Sequence, residues 1–198
     1  MSGASVIGTT LRELERLFRM VQYRLYQLVR LLLSILLEVF AVKPVRVSVV
    51  IARPRPEVFA FLDVNANHPP FLDHMWTDFE FSGPERGVGS RLRARSLAPG
   101  PEDWTEIEVV ETQAPRRIVE RGAGAKGKRR TQGTYTLEER PDGDTEVTFE
   151  LEFLAAPRSE KLAAPLLGPY TRRVLAQAMT RLRGQLEWAT APRAGALT

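Results

Sequence analysis

The 198-residue chain has no cysteine and only two histidines, His68 and His74. Without thiols it can form neither a disulfide framework nor a thiolate metal site, and this usage fits a reducing compartment. With two imidazoles a zinc centre would need carboxylates to complete it, and a divalent ion normally wants three or four ligands in defined geometry. Asp73 and His74 are adjacent and point apart on a helix, so they are poorly placed to share an ion. Both histidines are therefore read as surface or rim groups, with no metal and no cofactor implied. A basic stretch leading into an apolar run with a small-residue cleavage site is also missing from Met1–Thr10, so no secretory signal is expected. No serine stands in a nucleophile elbow and no paired carboxylates announce a hydrolase. The greasiest stretch, Leu31–Val42, is interrupted by Glu38 and falls short of the about 20 apolar residues that span a bilayer.

Charge of either sign is nearly balanced, at 28 basic and 24 acidic residues, and hydrophobic residues make up 43%. Those values suit a globular domain with an appendage. Basic residues gather between Arg116 and Arg130, where Glu120 is the sole acid, whereas Glu102–Glu111 carries only acids. The basic run lacks interleaved aromatics for base stacking, which disfavours nucleic acid. Pairing a strand near Arg91–Ser96 with one near Trp104–Glu111 sets Arg93 opposite Glu106 and Arg91 opposite Glu108, a solvated cross-strand ladder.

Leu11, Leu14, Phe18, Val21, Leu25, Leu28, Leu32, Ile35, Val39 and Val42 alternate at spacings of three and four. That periodicity predicts one long amphipathic, coiled-coil-like helix ending before Pro44, within a first segment of residues 1–43. Its apolar face must cover something: its own domain, a second copy as a homo-oligomer, or a membrane surface contacted peripherally through residues 11–42.

From Val45 the pattern changes to period two. Val45, Val47, Val49 and Ile51 define a first strand, and Pro54 and Pro56 lead into a short helix bearing Val58, Phe59 and Leu62. A second short helix or turn covers Asn65–Met75. Six strands follow, with a hairpin turn at Pro141–Asp144. A carboxy-terminal helix presents Leu175, Ala178, Leu182 and Leu186 on one side, with a break or restart expected at Gly168–Pro169. Gly122, Gly124 and Gly127 spell a dinucleotide fingerprint, but a strand follows instead of the required helix, so the segment is read as a hairpin loop.

This order, with Arg55–Phe59, Gly87–Ser90, Ala114–Arg117 and Gly133–Leu137 as landmarks, resembles the polyketide cyclase-like branch of the START/SRPBCC superfamily. One departure is Phe71–Leu72, where an aromatic pair is common. The resemblance implies an α+β helix-grip fold over residues 45–190: a curved antiparallel seven-stranded sheet around a long carboxy-terminal helix. The amino-terminal helix lies outside it, and residues 191–198 are read as a disordered tail. It further implies a cavity between sheet and helix, for whose lining Phe79, Phe81, Leu92, Ile107, Tyr135, Leu175 and Met179 are candidates. The expected function is binding or carriage of a hydrophobic small molecule (a lipid, isoprenoid or polyketide) in the cytoplasm or peripherally at a membrane. A carrier is preferred to an enzyme. The alternatives are a cyclase/aromatase in which Tyr135 or Glu120 moves protons, and an interaction module built on the amino-terminal helix. Pairing Val109 with Ile118 would turn Glu120 inward, whereas a one-residue slip would turn Arg121 inward instead.

Overall fold

A computed structural model describes residues 17–31, 43–98 and 103–188. By their contacts the residues form two compact units, Met1–Ala41 and Val42–Thr198. In the first, residues 17–31 are helical (α1) and side chains such as Phe18, Val21 and Leu25 are exposed. The expectations for residues 11–16, for residues 32–42 and for the tail 191–198 lie outside the described residues. Among the described residues no helix is long and apolar enough to cross a membrane.

The second unit is an α+β fold. Strand β1 (Val45–Ile51) leads through α2 (Arg55–Leu62), a 3-10 turn (Asn65–Asn67) and α3 (Pro69–Leu72) into β2 (Trp76–Ser82). Then come β3 (Arg91–Ser96), β4 (Trp104–Gln113), β5 (Arg117–Gly124), β6 (Arg129–Glu139), β7 (Thr145–Ala155) and α4 (Arg158–Trp188). All pairings are antiparallel, in the spatial order β1-β7-β6-β5-β4-β3-β2. The sheet thus runs as a meander from β2 to β7, and β1 closes the far side beside β7. Short hairpins make this possible. At Pro141–Asp144, Gly143 takes φ 86°, and the Arg140 and Asp144 backbones bond across the turn at 2.9 Å. At the glycine-rich segment Ala125, Lys126 and Gly127 all adopt left-handed φ, and the chain turns directly from β5 into β6.

Alternation along the strands separates a wet outer face from an apolar inner one. On the outer face Arg91 faces Glu108 (3.2 Å), and Arg93 reaches both Glu80 (3.0 Å) and Glu106 (3.6 Å) while lying 4.1 Å over the Trp104 ring. The anticipated ladder is therefore present. Being exposed, each such pair is worth no more than about 1 kcal/mol. The inner face supplies Val47, Ile51, Ile118, Leu137, Val147 and Phe149 to a core completed by α2, α3 and α4.

Helix α4 is pinned at both ends. Near its carboxyl end Leu182 and Leu186 pack on β1, Ala52 N–H donates to Glu187 (3.0 Å), and Arg53 donates to the Leu186 carbonyl (3.2 Å). Two further ties hold it to α3: Arg181 to Asp73 (2.6 Å), and the His74 Nε2–H to the Val174 carbonyl (3.1 Å). At the amino end Glu160 takes a bidentate bond from Arg129 at the start of β6 (2.7 and 3.1 Å), and Arg129 also meets Asp103 at 2.9 Å. The expected interruption at Gly168–Pro169 does not occur, since α4 is continuous through Pro165 and Pro169. Each proline removes one helical donor. Spaced four apart, the two gaps fall on one face, and the other residues carry the ladder across.

Leu182 is fully buried at the α4–sheet contact, whereas Leu166 on the same helix is 79% exposed. Leu182→Ala is expected to lower unfolding free energy by about 2–5 kcal/mol in urea titrations. Leu166→Ala should change it by less than about 0.5 kcal/mol.

Candidate functional site: an internal cavity

Between its pinned ends α4 stands off the sheet, and a cavity of about 320 Å³ remains beneath it. Its walls are the inner face of β4–β7, the middle of α4, and the α3 segment. Leu175, Ala178 and Met179 form the roof; Phe71, Phe149 and Leu151 form much of the apolar wall. A volume near the lower end of the ~300–1,000 Å³ typical of small-molecule sites suits a compact guest.

The register places three polar groups at the buried end. Val109 pairs with Glu120, Glu120 with Gly133, and Ile118 with Tyr135, which pairs in turn with Phe149. Glu120 is 6% exposed and faces the cavity, while Arg121 is exposed on the outer face. The strand pairing differs from the one considered above, because Ile118 lies opposite Thr112 across an irregularity between Val109 and Glu111. The displacement is two residues, so Glu120 keeps the inward orientation. Gly133 makes room for it: a Cβ there would fall 3.4 Å from Glu120 Oε2 and 3.0 Å from the Phe149 ring. Tyr135, the diagonal neighbour of Glu120 on that face, stacks 4.5 Å from Phe149 and edge-on to His68 at 6.5 Å.

His68 is 2% exposed and lines the cavity, which corrects its assignment to the surface or rim. The short α3 turns it inward, its Nε2–H donates to the Leu62 carbonyl (2.9 Å), and its ring packs on Phe71 at 5.1 Å. His74 is half-buried between α3 and α4, and Asp73 is taken by Arg181. Among the described residues no group of three His, Asp or Glu side chains converges as a metal site.

Burial governs the protonation of this end. Loss of water pushes the Glu120 carboxyl up to about 7 and the Tyr135 phenol well above its ordinary range, the latter helped by the nearby Glu120 charge. Burial lowers His68 to about 4, against a smaller opposing effect of its bond to Leu62. Neither the Glu120 carboxyl nor the Tyr135 hydroxyl is hydrogen-bonded to a described residue. At neutral pH the site therefore holds a neutral imidazole, a phenol and a carboxyl near its midpoint. That set can donate to a ligand oxygen or exchange a proton.

Of the lining candidates, Ile107, Tyr135, Leu175 and Met179 stand on the cavity wall. Phe79, Phe81 and Leu92 do not. Thr77 pairs with Arg95 and Glu80 with Arg93, so β2 carries an extra residue at a bulge where Asp78 has φ 54°. The bulge breaks the simple alternation: Thr77 joins the outer face, Trp76 takes the wall position, and Phe79 packs at the core margin. Phe81 pairs with Leu92 and Leu92 with Ile107, but the wall in that row begins at Ile107. Phe81, near the sheet edge, is 46% exposed, and Leu92 is buried outside the cavity. Sequence reasoning missed His68, Phe71, Trp76, Gly133 and Phe149. Only Phe149 and Gly133 carried a usable signal, as inward-phase neighbours of Tyr135 and Glu120 in the β5–β7 ladder.

A curved antiparallel sheet gripping one long helix over an internal cavity defines the helix-grip class of hydrophobic ligand-binding folds. Residues 44–187 match the family described as polyketide cyclase / dehydrase and lipid transport, and the chain belongs to that family. Solved structures share the fold. The ZhuI aromatase/cyclase from Streptomyces sp. R1128 aligns with TM-score 0.62 at 15% identity, over 77% of this chain and 98% of that one. TTHA0849 from Thermus thermophilus aligns with TM-score 0.60 at 19% identity, over 75% and 100%. DynU16, a putative protein of the dynemicin biosynthetic locus, aligns with TM-score 0.54 at 20% identity, over 74% and 48%. No curated protein matches the sequence.

The two buried groups pull stability in opposite directions with pH. Glu120, at 4.5 unfolded and about 7 folded, makes stability fall as pH rises through 4.5–7. His68, at 6.5 unfolded and about 4 folded, makes it rise through 4–6.5. Their contributions largely cancel in the wild-type protein. Glu120→Gln removes one side of the balance, so its stability relative to wild type should increase by about 3 kcal/mol from pH 4.5 to 7. Urea titrations of both proteins at several pH values measure this; a constant difference would place Glu120 in water.

Proposed function

We propose that the chain binds and carries a compact hydrophobic small molecule in the cavity beneath α4. An isoprenoid, a polyketide fragment or a single acyl chain would suit the volume. The observation that carries this reading is the largely apolar space beneath α4, walled by Phe71, Phe149, Leu151, Leu175 and Met179. Such a surface gains about 25 cal/mol for each Å² that a guest removes from water. The family description, which includes lipid transport, and the likeness to an aromatase/cyclase point the same way.

A second reading is favoured by one feature, the unbonded Glu120 carboxyl near neutrality beside Tyr135. A group titrating close to working pH is what general acid–base chemistry needs. In a cyclase, Glu120 would move a proton on a polyketide held in the cavity. Glu120→Gln and Tyr135→Phe would then abolish turnover of a poly-β-ketone substrate while leaving its binding in place; unchanged turnover would remove these assignments.

Carriage is tested by extracting the purified protein with organic solvent and analysing the extract by mass spectrometry. Thr171, half-buried on the α4 wall, is the control position. Wild type should release a dominant hydrophobic species, and a folded Thr171→Trp, its cavity filled by the indole, should release at least about tenfold less. Equal extracts from the two proteins would contradict binding in this cavity.

A further inference from the structure

The cavity is not uniformly apolar. Among its polar groups, those at the two ends differ in chemistry. At the α4 amino end Arg129 lines the wall, but its guanidinium is already committed to Glu160 and Asp103. At the buried end Glu120 and Tyr135 offer oxygen-bound protons with no hydrogen bond to a described residue. A buried polar group left unpaired costs about 1–3 kcal/mol, so a wholly hydrocarbon guest would leave two such groups uncompensated. Gly133 leaves the space beside Glu120 and Phe149 open, since a Cβ there would crowd the Phe149 ring at 3.0 Å. The neighbouring surfaces are the Phe149 ring, the α4 side chains Leu175, Ala178 and Met179, and the His68 ring, whose Nε2–H is committed to the Leu62 carbonyl.

We propose that the buried end of the cavity receives the carbonyl oxygen of an uncharged guest, with Glu120 and Tyr135 as its two hydrogen-bond donors. The proposal rests on the cavity being a binding site and specifies which end of the guest is polar and what that end is. A ketone, ester or quinone oxygen accepts from both groups. A carboxylate there would meet Glu120 charge against charge once that residue ionises. The interaction therefore depends on pH through Glu120. Titratable groups lining the same cavity are Lys43, His68, Arg129, Tyr135, Glu160 and Tyr170. His68 is neutral above about pH 4, Tyr135 keeps its proton, and Arg129 and Glu160 neutralise each other. Lys43 is exposed, in the solvated part of the lining. Between pH 5.5 and 8.5 Glu120 is thus the group at the buried end that changes charge.

The test compares two fluorescent probes of similar shape, 2-acetylnaphthalene and 2-isopropylnaphthalene, by calorimetric titration at pH 5.5 and 8.5. Wild type should prefer the ketone by about tenfold at pH 5.5, the worth of two net hydrogen bonds, and move toward parity at pH 8.5. Glu120→Gln keeps an amide donor and should hold a ketone preference that does not change with pH. Glu120→Leu should keep only the smaller ketone preference that Tyr135 supplies, the same at both pH values. Equal affinity for the two probes in wild type at pH 5.5, or a ketone preference in Glu120→Leu as large as that of wild type at pH 5.5, would overturn the proposal while leaving hydrophobic binding intact. Failure of both probes to bind any of these proteins would overturn the binding reading and this proposal with it.

Discussion

The anchoring of α4 at its two ends is the constraint on which the rest of the structure depends. At one end Leu182 and Leu186 are buried against β1 and the helix is bonded to Ala52 and Arg53. At the other, Arg129 clamps Glu160. Between these points a straight helix cannot follow a curved sheet. The space that remains is filled by neither element, and side chains from both become its walls. Hydrophobic burial at the carboxyl end is worth far more than the part-exposed ion pair at the amino end. The carboxyl end of α4 is therefore held more firmly than its amino end.

The same geometry explains the electrostatics. A carboxyl on a strand ordinarily alternates to the solvent face, and the acids of β4 do so in the ladder with Arg91 and Arg93. Glu120 has the opposite phase. It is held inward because its flanking residues Val119 and Arg121 cannot exchange faces without turning Ile118 out of the core. Its raised pKa and the lowered pKa of His68 both follow from removal of water. Keeping two polar side chains in a core that apolar ones would stabilise better is evidence for a role in what the cavity holds.

Much of this was legible in the chain. The period-two runs, the turn residues at Pro141–Asp144 and the Arg–Glu complementarity gave the succession of strands along the chain and the pairing of Arg93 with Glu106. The inward orientation of Glu120 was legible as one of two alternatives, although the observed pairing, Val109 with Glu120, is displaced by two residues from the one that suggested it. The bulge at Asp78 was not legible, because one extra residue leaves no mark on composition, and it put Trp76 on the wall and Phe79 at the core margin. His68 was obscured by lying in a turn between Asn65 and Pro69, where no periodicity reports which way a side chain points. The passage of α4 through Pro165 and Pro169 was hidden for a different reason: local propensity argues for a break, and tertiary anchoring at both ends overrides it.

The central claim is that room for a guest exists beneath α4, and crystals pressurised with xenon test it most directly. An apolar cavity takes up xenon without rearrangement. The account predicts density for xenon, or for a guest carried through purification, between Gly133 and Ala178. Side chains of Phe149, Leu175 and Met179 closed upon one another, with no site for either, would contradict it.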